Sequence, residues 1–259
     1  MKPRGRARLE IIGAAALFST GGAVIKATSL SGWQVAGLRS GIAAVAVLLL
    51  LPAARRGWTW RTLLVAIAYA SCLILYVTAN KLTTAANTIF LQSTGPIYIL
   101  LLAPWLLKER VTREDLMVLV VMIVGLGCFF VGADTPLRSA PDPATGNLLA
   151  AGAGLAWAFV VIGLRWLGRS AAPDAADPAM SAVALGNLLA CAVALPFGLP
   201  ILHASAGDWA AVGFLGVVQI GIAYLLMSRA VRVLPAFEAS VLLLIEPALN
   251  PLWAWLVQG

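Results

Sequence analysis

The chain has 259 residues, of which 61% are apolar and only 11% charged. That balance cannot furnish the solvated surface of a soluble domain, and it makes the lipid bilayer the natural solvent. The net charge of +7 does not indicate nucleic acid, because the basic residues sit in short clusters between apolar runs instead of on one solvated face.

A helix crossing the hydrocarbon core needs about 20 apolar residues. Taken in chain order, apolar runs bounded by charge, Pro and Gly predict spans at 10–27, 33–51, 62–80, 85–107, 115–132, 147–165, 179–202, 209–228 and 237–257. The basic start from Met1 to Arg8 has the look of a secretory signal, but the spans that follow at once argue for a retained first helix. Cys72, Cys128 and Cys191 all fall inside spans and read as small packing residues. An extended linker at 134–146, marked by Pro136, Pro141 and Pro143, divides a first unit at 1–133 from a second at 147–259. A similar loop, Gly168 to Pro178, joins the sixth and seventh spans. The expected fold is an all-α integral membrane protein.

Fourteen of the eighteen Lys and Arg residues fall in alternate loops on one side, in clusters around Arg4, Arg55, Lys108, Arg165 and Arg229. Only Lys81 and Arg138 lie in loops of the other side. The positive-inside rule then predicts a multi-pass protein of the cell (inner) membrane with a cytoplasmic N-terminus.

The fourth and ninth spans align without gaps at an offset of 151: Lys81 meets Arg232, Ala85 meets Ala236 and Pro96 meets Pro247. The first and sixth match more weakly at an offset of 139, where Gly13 meets Gly152, Phe18 meets Trp157 and Lys26 meets Arg165. A repeat of five spans enters the membrane upside down the second time, so matched residues face opposite compartments. Two inverted five-helix units are therefore expected, with alternating access between them.

With "ANKLTTAANTIFLQSTGPIYILLLAPWLLKE" in the first half and "AVRVLPAFEASVLLLIEPALNPLWAWL" in the second, the chain resembles the EamA branch of the drug/metabolite transporter superfamily over essentially its whole length. The resemblance implies ten spans, a central cavity shared by both halves, and export of amino acids, related metabolites or drugs. Two features depart from the family pattern. The Gly-Glu pair usual after spans 4 and 9 is Lys108-Glu109 here, and Phe18 stands where Trp is common. The chain ends at Gly259, before the second Glu and a tenth span, and we read this as truncation rather than a nine-span variant.

Glu246 is the carboxylate placed near the middle of a span, where burying a charge costs several kcal/mol unless it is paired or hydrated. It suits proton coupling or recognition of a substrate amine, or else it caps backbone freed by Pro247. Pro96 and Pro247 are hinge candidates or simple packing kinks. Beside the first lies the polar stretch Asn87, Thr88, Gln92, Ser93 and Thr94, some of which must face inward. Phe18 and Trp157 suit either the walls of a cavity or core packing, with Tyr69, Tyr76, Tyr98 and Tyr224 as weaker candidates. Arg39 is placed either to snorkel outward or to contact a substrate carboxylate. Trp33, Trp58, Trp60, Trp166 and Trp209 read as interfacial anchors.

The rival classes lack their chemistry. An intramembrane hydrolase needs a base beside its nucleophile, and the single histidine, His203, falls in an outer loop. No Cys/His metal spacing, phosphate loop or channel filter is present, so neither enzyme, cofactor nor metal is expected. The partners expected are a small-molecule substrate, the bilayer and, through Glu246, protons. Export of amino acids or similar zwitterions is favoured over cationic drugs, because Glu10 lies too close to the cytoplasmic edge to act as a membrane carboxylate. A lipid flippase or a non-transporting subunit would share the architecture.

Overall fold

The computed structural model describes residues 3–130, 140–169 and 177–258. Residues 134–139 of the expected linker, most of the 168–178 loop and the Cys128 side chain lie outside the described residues. The described chain is helical throughout, in the order α1 (Pro3–Ser19), α2 (Gly21–Ala27), α3 (Gly32–Leu50), α4 (Trp60–Leu82), α5 (Ala85–Gln92), α6 (Gly95–Leu106), α7 (Arg113–Phe130), α8 (Pro143–Arg169) and α9 (Pro178–Gly198). The remainder is α10 (Ala206–Phe214), a π-helical segment (Leu215–Ile222), α11 (Ala223–Ala230), α12 (Ala236–Leu243) and α13 (Ile245–Gln258). Among the described residues seven helical stretches are long and apolar enough to cross a membrane, from Pro3–Ala27 to Ala206–Ala230.

Several helix starts are written into local chemistry. Ser31 accepts from the Gln34 amide while the Gln34 side chain accepts from the Ser31 amide, which closes a capping box at the start of α3. Thr59 and Thr62 do the same for α4, and Ser205 and Asp208 for α10.

Three of the expected spans are broken in the middle. The first divides at Thr20, between α1 and α2; the fourth at Ser93 and Thr94, between α5 and α6; and the ninth at Leu244, between α12 and α13. α5 and α12 occupy 85–92 and 236–243, the same positions under the 151-residue offset. The breaks in the fourth and ninth spans fall just before the hinge candidates Pro96 and Pro247. Pro96 and Pro247 lie in the first turn of the half-helix that follows, where a missing N–H costs no intrahelical bond.

The hydroxyls around these breaks are used on their own backbone. Ser93 Oγ donates to the Ile89 carbonyl at 2.6 Å, Thr94 Oγ1 to Leu91 at 2.7 Å and Thr88 Oγ1 to Thr84 at 3.0 Å. Ser19 and Thr20 bond to Ala16 and Leu17, each at 2.7 Å. Such back-bonding bends helices and satisfies carbonyls that a break exposes. Most of the polar stretch at 87–94 thus serves the backbone.

Helices from the two halves of the sequence, the expected units, pack against one another. α1 packs on α11, α12 and α13, while α8 packs on α4, α5 and α6, so each unit's opening helix lies against the closing helices of the other. α3 and α9 form the central crossing, with α4 against α9 and the π-helical segment against α3. This crossing depends on Gly37: a Cβ there would stand 2.9 Å from the Leu195 backbone.

Candidate functional site

Seven of the residues singled out in the sequence, drawn from seven different elements, converge on one cavity of about 30 Å³. They are Phe18 of α1, Arg39 of α3, Tyr76 of α4, Gln92 of α5, Trp157 of α8, Tyr224 of α11 and Glu246 of α13. The volume has space for a water or two. A metabolite therefore enters only if the walls move.

One side is aromatic. Phe18 meets Tyr224 edge-on at 5.0 Å between centroids and Trp157 at 5.9 Å. Tyr224 leans on Tyr69 at 4.7 Å, and Tyr69 in turn accepts a hydrogen bond from Asn187 Nδ2 at 3.0 Å. Such contacts hold the rings in fixed orientations, and they join helices of both units.

Apart from Leu73 and Ile220, the rest of the lining carries polar groups that are largely unpaired. Arg39 is 1% exposed, and its one hydrogen bond is a long one of 3.5 Å from Nη2 to the Leu73 carbonyl. Nε has no partner, and no carboxylate of the described residues lies within 4.0 Å of the guanidinium. The snorkelling expected for Arg39 is overturned. The side chain is buried, bonds the Leu73 carbonyl of α4 and lines the cavity instead of reaching outward.

Glu246, in the first turn of α13, makes no hydrogen bond or ion pair among the described residues, so the cap it was expected to provide beside Pro247 has no bond to represent it. Tyr76 Oη and Gln219 Oε1 are also buried without partners. Gln92 Nε2 reaches only the Cys72 sulfur, at 3.5 Å. A fixed cation, a carboxylate and neutral hydrogen-bonding groups thus share one small space, each with bonding capacity unused.

The other sequence candidates lie elsewhere. Asn87 bonds Thr83 and Thr84 at the start of α5, Thr94 is committed to Leu91, and Tyr98 packs half-buried against the core. Pro96 and Pro247 border a second void of about 20 Å³ that shares Gln92, Trp157 and Glu246 with the first. Sequence reasoning missed Gln219 and treated Cys72 as packing. A lone amide within the apolar run LGVVQIGI was the available signal for Gln219. Among the described residues no group of three or more His, Cys, Asp or Glu side chains gathers as a metal site would require.

The two ends of the bundle are closed differently. At the arginine-rich end Glu109 pairs with Arg165 and accepts from the Ala236 amide at 3.0 Å, Arg4 and Arg8 pair with Glu238, and Arg232 pairs with Asp177 at 2.5 Å. At the other end two lysines bond backbone carbonyls. Lys26 Nζ donates to the Thr83 carbonyl at 2.8 Å, and Lys81 Nζ to the Thr28 carbonyl at 2.9 Å.

Comparison with known proteins agrees with this architecture. The model of the EamA-like transporter family matches residues 7–131 and 144–259. No curated protein matches the chain significantly. Among eighteen solved chains that do, one, described only as the crystal structure of a protein, superposes with a TM-score of 0.73 at 21% identity, over 97% of this chain and 89% of that one. At that identity the likeness concerns the fold.

Proposed function

Because the chain belongs to the EamA-like transporter family, we propose that it exports small zwitterionic metabolites, amino acids foremost, across the cell (inner) membrane by alternating access to the central cavity. The observation that carries this is the pair Arg39 and Glu246, which face one cavity and form no ion pair among the described residues. Leaving a cation and a carboxylate desolvated is costly. A substrate bearing both charges relieves both residues at once, its carboxylate on the Arg39 fork and its ammonium on Glu246.

The matched breaks in the fourth and ninth spans support two inverted repeat units, with Pro96 and Pro247 as hinges. The distribution of Lys and Arg supports a cytoplasmic N-terminus, and the arginine-rich end is then the cytoplasmic one. Glu246 gives the site a group able to exchange a proton for the substrate.

A second reading, export of cationic drugs, draws on the Phe18–Trp157–Tyr224 cluster beside Glu246. Arg39 weighs against it, because a buried guanidinium repels a cation that brings no carboxylate. Counterflow in proteoliposomes, with a panel of labelled amino acids and organic cations at two pH values, separates the two. Exchange of amino acids that is lost in Arg39→Gln supports the zwitterion reading. Exchange of cations alone, preserved in Arg39→Gln, overturns it.

A further inference from the structure

We infer that Gln219 is a specificity residue that selects substrates with a primary ammonium group over N-trimethylated ones. This rests on the zwitterion reading above and narrows its substrate class to free amino acids, with betaines disfavoured.

Gln219 comes from the π-helical segment Leu215–Ile222, where the wider turn interrupts the α-helical register of the eighth span. Single stretches of this kind recur at functional sites because they re-aim a side chain without ending the helix. The residue is 6% exposed, lines the cavity with Glu246, and its amide oxygen has no partner. The space for the side chain is provided by Gly21, at the break in the first span. A Cβ at that position would stand 2.7 Å from Gln219 Nε2 and 3.1 Å from Cδ. The break between α1 and α2 therefore serves the amide as well as the backbone.

A carboxylate attracts any cation, so Glu246 alone cannot distinguish ammonium from trimethylammonium. A neutral amide oxygen can. It accepts an N–H from a primary ammonium, whereas a trimethylated nitrogen offers none and leaves the buried oxygen unpaired. Sites that require a hydrogen bond discriminate in this way, and one unpaired neutral group corresponds to about tenfold or more.

The test is counterflow in proteoliposomes of the full chain with labelled alanine and labelled N,N,N-trimethylalanine, comparing wild type with Gln219→Met, Gly21→Ala and Arg39→Gln. Wild type should prefer alanine by about tenfold or more in kcat/KM. Gln219→Met should bring the ratio near one, and Gly21→Ala, which retains the amide but displaces it, should shift the ratio the same way. The double variant should add little to either. The inference is overturned if wild type moves both substrates equally, or if Gln219→Met lowers both in proportion. Should Gln219→Met fail to fold, Gly21→Ala carries the test by the same criterion. Alanine exchange that persists undiminished in Arg39→Gln, with its preference over trimethylalanine intact, would overturn the zwitterion reading and leave the amine selection standing. Exchange of neither substrate by wild type overturns both.

Discussion

Arg165, one turn before the end of α8, links three segments: it pairs with Glu109, which follows α6, and its Nη1 donates to the Val231 carbonyl, after α11, at 2.9 Å. Lys26, matched to Arg165 by the 139-residue offset, makes the corresponding kind of bond at the opposite end, to the Thr83 carbonyl. Side-chain exposures of 10% for Arg165 and 15% for Glu109 leave their ion pair largely shielded from water.

Removing one partner of such a pair strands the other, at roughly 3–5 kcal/mol. Glu109→Gln and Arg165→Gln are each expected to lower the melting temperature of the detergent-solubilised protein clearly, and the double variant by less than their sum. The more exposed Arg232–Asp177 pair should cost about 1 kcal/mol or less. Equal losses for the two pairs would contradict this ranking.

Arg39→Lys tests whether the planar fork matters beyond its charge. An ammonium cannot present two parallel donors to a carboxylate, so KM for a zwitterion should rise by roughly tenfold while membrane insertion is retained. Unaltered KM would place the substrate carboxylate elsewhere.

Glu246→Gln keeps the shape of the side chain and removes its proton exchange. Transport measured across a range of pH should lose its dependence on pH in this variant while the protein still inserts. A profile identical to wild type would remove Glu246 from coupling.

Gly37 is the contact on which the central crossing turns. Gly37→Val should separate α3 from α9, because the Leu195 backbone 2.9 Å away cannot rotate aside as a side chain could. Loss of the monodisperse species in size-exclusion chromatography is the expected result. By contrast Gly125→Ala, where a Cβ meets nothing within 4 Å, should be neutral.

The composition and the spacing of apolar runs were sufficient to determine a helical membrane protein, because a bilayer imposes helix length and internal hydrogen bonding on any chain that crosses it. Sequence also located the prolines near the breaks, and the mid-span polar residues Arg39, Gln92 and Glu246 stood out because such residues are expensive in lipid. Direction and partnership were not legible in the same way. Thr94 and Gln92 are two residues apart, yet one hydroxyl returns to its own helix and the other side chain reaches the cavity. A hydroxyl is short enough to bond its own backbone, while a longer amide must find a partner across the bundle. By sequence Arg39 suited snorkelling as well as a buried site, and only the structure buries it against Leu73 of α4. The place of Gln219 depends on a π turn and on the gap at Gly21, a residue nearly 200 positions away in the chain. Which side chains meet is decided by packing between distant elements, and only the tertiary structure contains it.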